Sequence, residues 1–306
     1  MAEQSLITLS AEVAEALNQQ KPVVALESTV IAHGLPRPIN LEVAQRLERI
    51  VREAGATPAT IAVLNGELCA GLGPDQIEFI ANSDDIKKIS TRDLPLARAG
   101  KWNAATTVAS SIWIAHRAGI NVFATGGIGG VHRDSLPDIS ADLPELSRTP
   151  IAVVCSGAKI VLDLPATREW LETHGVTVVG YQCDEMPAFY SRSSGLPVDA
   201  RVESPEEVVR IVSSQRELGI ASALIVTVPV PEVAEVSAPL LESVIAASLE
   251  EARLRQIAGR DVTPFLLARM TEASTGATLR ANIALLENNV RVAGEIAVCL
   301  SGGNVT

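Results

Sequence analysis

The chain has 306 residues, a formal net charge of −11, 47% hydrophobic residues and only 3% aromatics. That length supports a large aliphatic core, and the acidic balance argues against a general surface for nucleic acid or anionic membrane, which needs clustered Lys and Arg. The first residues lack a basic-then-apolar leader, and no apolar run approaches the ~20 residues of a membrane helix.

Ser10 reads as the cap of a short helix over 11–17. Residues 22–26 form an aliphatic strand ending at Glu27-Ser28-Thr29. Asn40 opens an amphipathic helix to Ala54, with Gly55 as its stop. A strand over 60–64 runs into an Asn65-Gly66 turn, a helix covers 74–80, and 87–90 is a short strand. Residues 103–118 read as one long Ala-rich helix closed by Gly119. Two apolar strands follow, 122–124 and 151–155. Thr125-Gly126-Gly127-Ile128-Gly129-Gly130 ends the first and Ser156-Gly157-Ala158-Lys159 the second. The polar, Pro-containing stretch 131–149 between them has the length of a functional loop. Then come a helix over 160–175 broken near Pro165, a strand over 176–181 and an irregular stretch 182–205. A helix over 206–218, a strand over 223–228 and a helix over 239–258 precede a mostly helical 264–300 with a break at 274–276.

Aliphatic strands alternating with helices predict one α/β domain over 1–306, a three-layer α/β/α sandwich with a mostly parallel central sheet. Such sheets bind ligands outside the carboxyl ends of their strands, which gathers Glu27, Lys88, the 126–130 loop and Lys159.

The glycine loop matches a dinucleotide fingerprint poorly, because Val131-His132-Arg133-Asp134 leads into a loop rather than a helix. It reads as an anion or substrate loop whose N–H groups crowd together, or as a tight turn needed for packing. Lys159 stands where a helix pattern starts. There the helix field and the apolar walls of Val153 and Val154 would lower its pKa from ~10.4 and make it an imine-forming nucleophile; a solvated lysine is the plainer alternative. Glu27, at the end of an aliphatic strand, is a loop carboxylate or a desolvated acid with a raised pKa. Asp134, Asp138 and Asp142 form either a solvated acidic face or oxygen ligands for a hard divalent cation. His33, His116 and His174 have no ligand spacing and read as structural. The cysteines Cys69, Cys155, Cys183 and Cys299 form no C-x-x-C pair, which speaks against zinc and for a reducing cytoplasm.

Eight strings occur in order: KPVVALESTVIAHGLP, ATIAVLNGE, KKISTRDLP, NAATTVAS, VFATGGIGGVHR, DISADL, VVCSGAK and TPFLLARM. Through them the chain resembles the family of pseudouridine-5′-phosphate glycosidases and indigoidine synthase A proteins from about Lys21 to about Ala297. The resemblance implies reversible cleavage of the C–C glycosidic bond of pseudouridine 5′-phosphate to uracil and ribose 5-phosphate, a manganese ion and a homotrimer. It implies Glu27 as proton donor, Lys159 as nucleophile forming a covalent sugar adduct, and Asp138 as metal ligand. Lys88, Val108, Ser140, Ala141, Asp142 and Asn282 are implied as substrate contacts. Thr125, Gly126, Gly127 and His132 join them as the loop at the sugar phosphate. Ser156 departs from the family string, where alanine is expected. The alternatives are a relative using the same lysine chemistry on another phosphorylated sugar or nucleoside, and a sugar-phosphate binder without chemistry.

Overall fold

The computed structural model describes residues 6–133, 138–257 and 262–302. In chain order the first elements are β1 (Ile7–Leu9), α1 (Ala11–Asn18), β2 (Val23–Glu27), α2 (Ile39–Glu53), β3 (Thr57–Leu64) and β4 (Glu67–Ala70). Next come α3 (Pro74–Asn82), β5 (Lys87–Ile89), α4 (Leu94–Ala99), β6 (Ala104–Thr106), α5 (Val108–Arg117) and β7 (Val122–Ala124). The second half contributes α6 (Asp142–Leu146), β8 (Ala152–Cys155), α7 (Leu164–Thr173), β9 (Thr177–Tyr181), β10 (Ala200–Val202), α8 (Pro205–Glu217) and β11 (Leu224–Thr227). Three helices close the chain: α9 (Ala238–Leu254), α10 (Val262–Ala273) and α11 (Ala277–Gly302).

The strands form one sheet in the order β1-β4-β3-β2-β7-β8-β11-β9-β10, with β6 pairing β3 and β5 pairing β6. Among the named strands of the described residues, only the β3–β4 and β3–β6 pairs are antiparallel. The mixed α/β sheet is mostly parallel with helices on both sides, as the alternating pattern predicts. Every residue of β2, β7 and β8 is buried, which is why these strands read as unbroken apolar runs. Helix α11 packs on β2, β7 and β8 together with α2 and α8, and α5 packs on β2 and β3 with α6 against it.

Some sequence expectations fail locally. The span 103–118 is not one helix: Ala104–Thr106 is a buried strand, and α5 starts only at Val108. Alanine favours a helix intrinsically, but the open edges of β3 and β5 take these three residues into the sheet, and tertiary pairing outweighs a propensity worth about 1 kcal/mol or less per residue. Asn40 does not cap α2; it lies inside the helix and its amide donates to Ile31 O and Ala81 O, both at 2.9 Å. Strands β1, β4 and β10 are short edge or hairpin pieces with no alternation long enough to detect. Ser10 does cap α1, accepting the Val13 N–H at 3.2 Å.

Candidate active site

Parallel register brings the site together. Leu26, Ala124 and Val154 lie side by side across β2, β7 and β8. The next residues, Glu27, Thr125 and Cys155, therefore emerge at the same end of the sheet. The Thr125 N–H continues the ladder to Val154 O at 3.0 Å. Its hydroxyl donates to Glu27 Oε1 at 2.5 Å. On the other side of β2, Ser28 Oγ accepts the Thr106 N–H and Thr29 donates to Thr106 O. These bonds fasten the β5–β6 pair, and with it Lys88, beside Glu27.

Gly157 has φ +76° and turns the chain sharply after β8. A Cβ at this position would strike the Pro187 carbonyl oxygen. Lys159 follows, with its N–H on Ile128 O and its carbonyl accepting from Leu162. Arg133 clamps the far side of this turn through Leu162 O at 2.9 Å and Ile160 O at 3.0 Å. The helix expected to begin at Lys159 begins at Leu164, capped by Asp163, so the helix-field argument for this lysine does not hold. A Gly157→Ala protein is expected to lose stability beyond the roughly 1–2 kcal/mol of a left-handed alanine, because the backbone contact adds to it. A denaturant midpoint equal to wild type would contradict this.

The glycine loop is tight for packing reasons. None of Gly126, Gly127, Gly129 and Gly130 is left-handed. A Cβ on Gly127 would meet the Phe189 ring at 2.6 Å, and on Gly129 or Gly130 it would collide with Ser140 or Thr167. Two of the loop's N–H groups are engaged, Ile128 donating to Gly157 O and Gly129 to Asp142 Oδ2, and just beyond the loop Val131 donates to Thr167 Oγ1 and His132 to Asp138 O. The expected crowd of N–H groups facing an anion is therefore not formed by these four. Lys88 and Arg92 add cationic side chains to the same cavity.

Glu27, Lys88, Val108, Gly126, Gly127, His132, Asp138, Ser140, Ala141, Asp142, Lys159 and Asn282 all line one cavity of about 310 Å³. Thr125 is buried just behind it. Six further residues line the same cavity: Arg92, Phe189, Thr263, Pro264 and Leu267, which no sequence motif marks as site residues, and His33, whose expected role is structural. Arg92 and the 263–267 stretch lie inside quoted strings, whereas nothing in the sequence around Phe189 marked it.

Burial raises the Glu27 carboxyl well above the ordinary glutamate value, and the Asp142 charge adds to this. Lys159, the Thr125 hydroxyl and Lys88 offset part of the shift. Glu27 therefore gives up its proton less readily than an ordinary glutamate, and it shares the cavity with the half-buried Lys159. Cys155 is no competing nucleophile, since burial pushes its thiol up to about 12. Asp142 is buried, with Oδ1 on the Ala109 N–H at the start of α5 and Oδ2 on Gly129. Asp138 is exposed at the cavity rim. Asp134 lies outside the described residues. Among the described residues no three His, Cys, Asp or Glu side chains converge into a metal cage. A lone rim carboxylate fits a hard, largely hydrated cation whose other ligands are water and substrate oxygens.

Residues 12–299 match the family of indigoidine synthase A-like proteins. The chain belongs to that family. It is 49% identical over 297 residues to the pseudouridine-5′-phosphate glycosidase of Caldanaerobacter subterraneus subsp. tengcongensis, covering 96% of this chain and 97% of the relative. It is 50% identical over 285 residues to the enzyme of the same name from Kosmotoga olearia, covering 93% and 99%. Among solved structures, the prealnumycin C-glycosynthase AlnA in complex with ribulose 5-phosphate superimposes with a TM-score of 0.89 at 41% identity, covering 98% of each chain. An indigoidine synthase A-like protein from Thermotoga maritima gives 0.89 at 40%, covering 98% of this chain and 99% of that one.

Proposed function

We propose that this indigoidine synthase A-like protein cleaves the C–C glycosidic bond of pseudouridine 5′-phosphate reversibly, giving uracil and ribose 5-phosphate. The observation that carries the reading is that the buried Glu27 carboxyl, raised above its ordinary value, shares one cavity with Lys159, the two arriving from the ends of β2 and β8 on either side of β7. Relatives named for this activity, matched along nearly their whole length, support it.

A C-glycoside has no heteroatom to carry away the bonding pair, so cleavage needs an electron sink on the sugar and a proton on the base carbon. Glu27 gives its proton to the ribose ring oxygen while Lys159, as the free amine, attacks C1′ and the C1′–O bond breaks. The new C–N centre releases a proton to the Glu27 carboxylate, and Glu27 passes it to uracil C5. The C1′–C5 pair then restores the C5=C6 bond as the lysine nitrogen forms an iminium with C1′. Water hydrolyses the iminium to open-chain ribose 5-phosphate and the neutral amine, and the proton released in this step returns to the Glu27 carboxylate. Lys88 and Arg92 attract the phosphate, whose remote binding holds C1′ at the amine.

Asp138 would hold a manganese ion mainly through water, where the ion would supply positive charge to substrate oxygens. The family resemblance supports a homotrimer, which sedimentation would read as three chain masses, and the four unpaired cysteines support a cytoplasmic location.

The test is to incubate the protein with pseudouridine 5′-phosphate and Mn²⁺ and follow free uracil. Asp138→Asn runs in parallel, with Mn²⁺ binding read by electron paramagnetic resonance. Equimolar uracil and ribose 5-phosphate are expected, with weaker Mn²⁺ binding in the variant. Folded, Mn²⁺-supplemented protein that releases no uracil would overturn the reading. It would favour the relative acting on another phosphorylated sugar or nucleoside, or the binder.

A further inference from the structure

Helix α11 sends one amide into the apolar layer beneath the cavity. Asn289 is 0% exposed, and Leu285, Leu286 and Val290 beside it on the helix are buried as well. Its Nδ2 donates to Thr125 O at 2.9 Å and to Ser156 Oγ at 3.1 Å, with Gly126 O at 3.4 Å. The Ser156 hydroxyl also lies 3.2 Å from Asn289 Oδ1. One side chain therefore touches the first residue after β7 and the first residue after β8. The Ser156 N–H on Gly126 O and the Phe189 N–H on Ser156 O complete the network.

Both contacted residues lead to a reacting group. Thr125 carries the hydroxyl on Glu27, and Ser156 begins the turn that delivers Lys159. A buried amide is costly unless every partner is met, and a satisfied buried network fixes one arrangement of the elements it joins. We infer that Asn289 is a positioning residue, locking the ends of β7 and β8 in the register that sets the Thr125 hydroxyl on Glu27 with Lys159 facing it. This rests on the proposed roles of Glu27 and Lys159.

The experiment is a double-mutant cycle of Asn289→Leu, close in shape but without hydrogen bonds, with Thr125→Val. Steady-state kinetics are taken across pH and folding is checked by circular dichroism. Asn289→Leu is expected to lower kcat by about 10–100-fold with KM changed about threefold or less, because a misplaced reacting group is costly even when substrate still binds. The groups facing Glu27 are Lys159, Lys88, Asp142 and Thr125. Loss of the Thr125 bond removes a stabiliser of the carboxylate, so the alkaline limb of kcat moves to higher pH. In the Thr125→Val background, Asn289→Leu is expected to move that limb no further.

Wild-type kcat and pH profile in folded Asn289→Leu, or fully independent effects in the double variant, would overturn the inference. If the leucine variant does not fold, Asn289→Ser carries the same readouts with a side chain too short to bridge both partners. Wild-type protein that releases no uracil would instead count against the proposed reaction.

Discussion

Replacing Lys159 by alanine is expected to reduce uracil release from pseudouridine 5′-phosphate by about 10⁴-fold or more, the scale seen when a covalent nucleophile is removed. Lys159 occupies the turn after β8 that Gly157, Ile128 and Arg133 fix in place. It shares the cavity with Glu27 and Lys88. Two roles must be separated, since the amine is both a candidate nucleophile and a positive charge beside the phosphate site. Lys159→Arg keeps the charge but cannot form an imine. The arginine variant should therefore bind ribose 5-phosphate and remain as inactive as the alanine variant. Borohydride reduction in the presence of ribose 5-phosphate should add one reduced sugar phosphate to the wild-type mass, mapped to Lys159, and nothing to either variant. Uracil release by Lys159→Ala at the wild-type rate would end the nucleophile assignment.

Glu27→Gln is expected to lower kcat by about 10²–10⁴-fold, the usual contribution of a general acid, and at the same time to stabilise the folded protein at neutral pH. The second effect follows from linkage. Burial raises the folded-state carboxyl above its ordinary value of 4.5, so between that value and the raised one the native protein binds more protons than the unfolded chain. Wild-type stability then falls as pH climbs through the raised value, because folding must bury a charge. Glutamine carries none. The variant should be more stable than wild type above that window, and the difference should shrink as pH drops below the unfolded value. Lys159 loses its anionic neighbour in the variant, which trims the gain. Urea midpoints at several pH values read the stability, and the alkaline limb of kcat, which reports loss of the Glu27 proton, should vanish with the carboxyl. A variant less stable than wild type at neutral pH, with the limb intact, would show that Glu27 is ionised at rest.

The central strands were legible because each is an apolar run closed by glycine or a polar residue. β2, β7 and β8 are buried on both faces and leave no alternation to confuse them with surface strands. Glu27 was legible as the polar residue ending one such run, and Lys159 as the lysine in the short glycine turn that follows another. Phe189 was not, because the segment around it has no periodicity and matters only where it lies against Gly127. Asn289 was hidden for a similar reason: within an Ala- and Leu-rich helix, an asparagine gives no sign of whether it faces solvent or a carbonyl.

By itself the sequence determined the alternation of strand and helix, the strand ends that line the cavity, and the family. Those are encoded locally, in hydropathy period, in turn residues and in short ordered strings. Only the tertiary structure decided that 104–106 joins the sheet, since an Ala-rich segment takes whichever state its neighbours leave open. The same holds for the glycine loop, where the Ile128 and Gly129 N–H groups go to Gly157 O and to Asp142, groups that other segments of the chain bring alongside. It was also tertiary register that set Thr125 on Glu27, across 98 residues of sequence. Pairing of that kind depends on which strands become neighbours, and no local pattern specifies it.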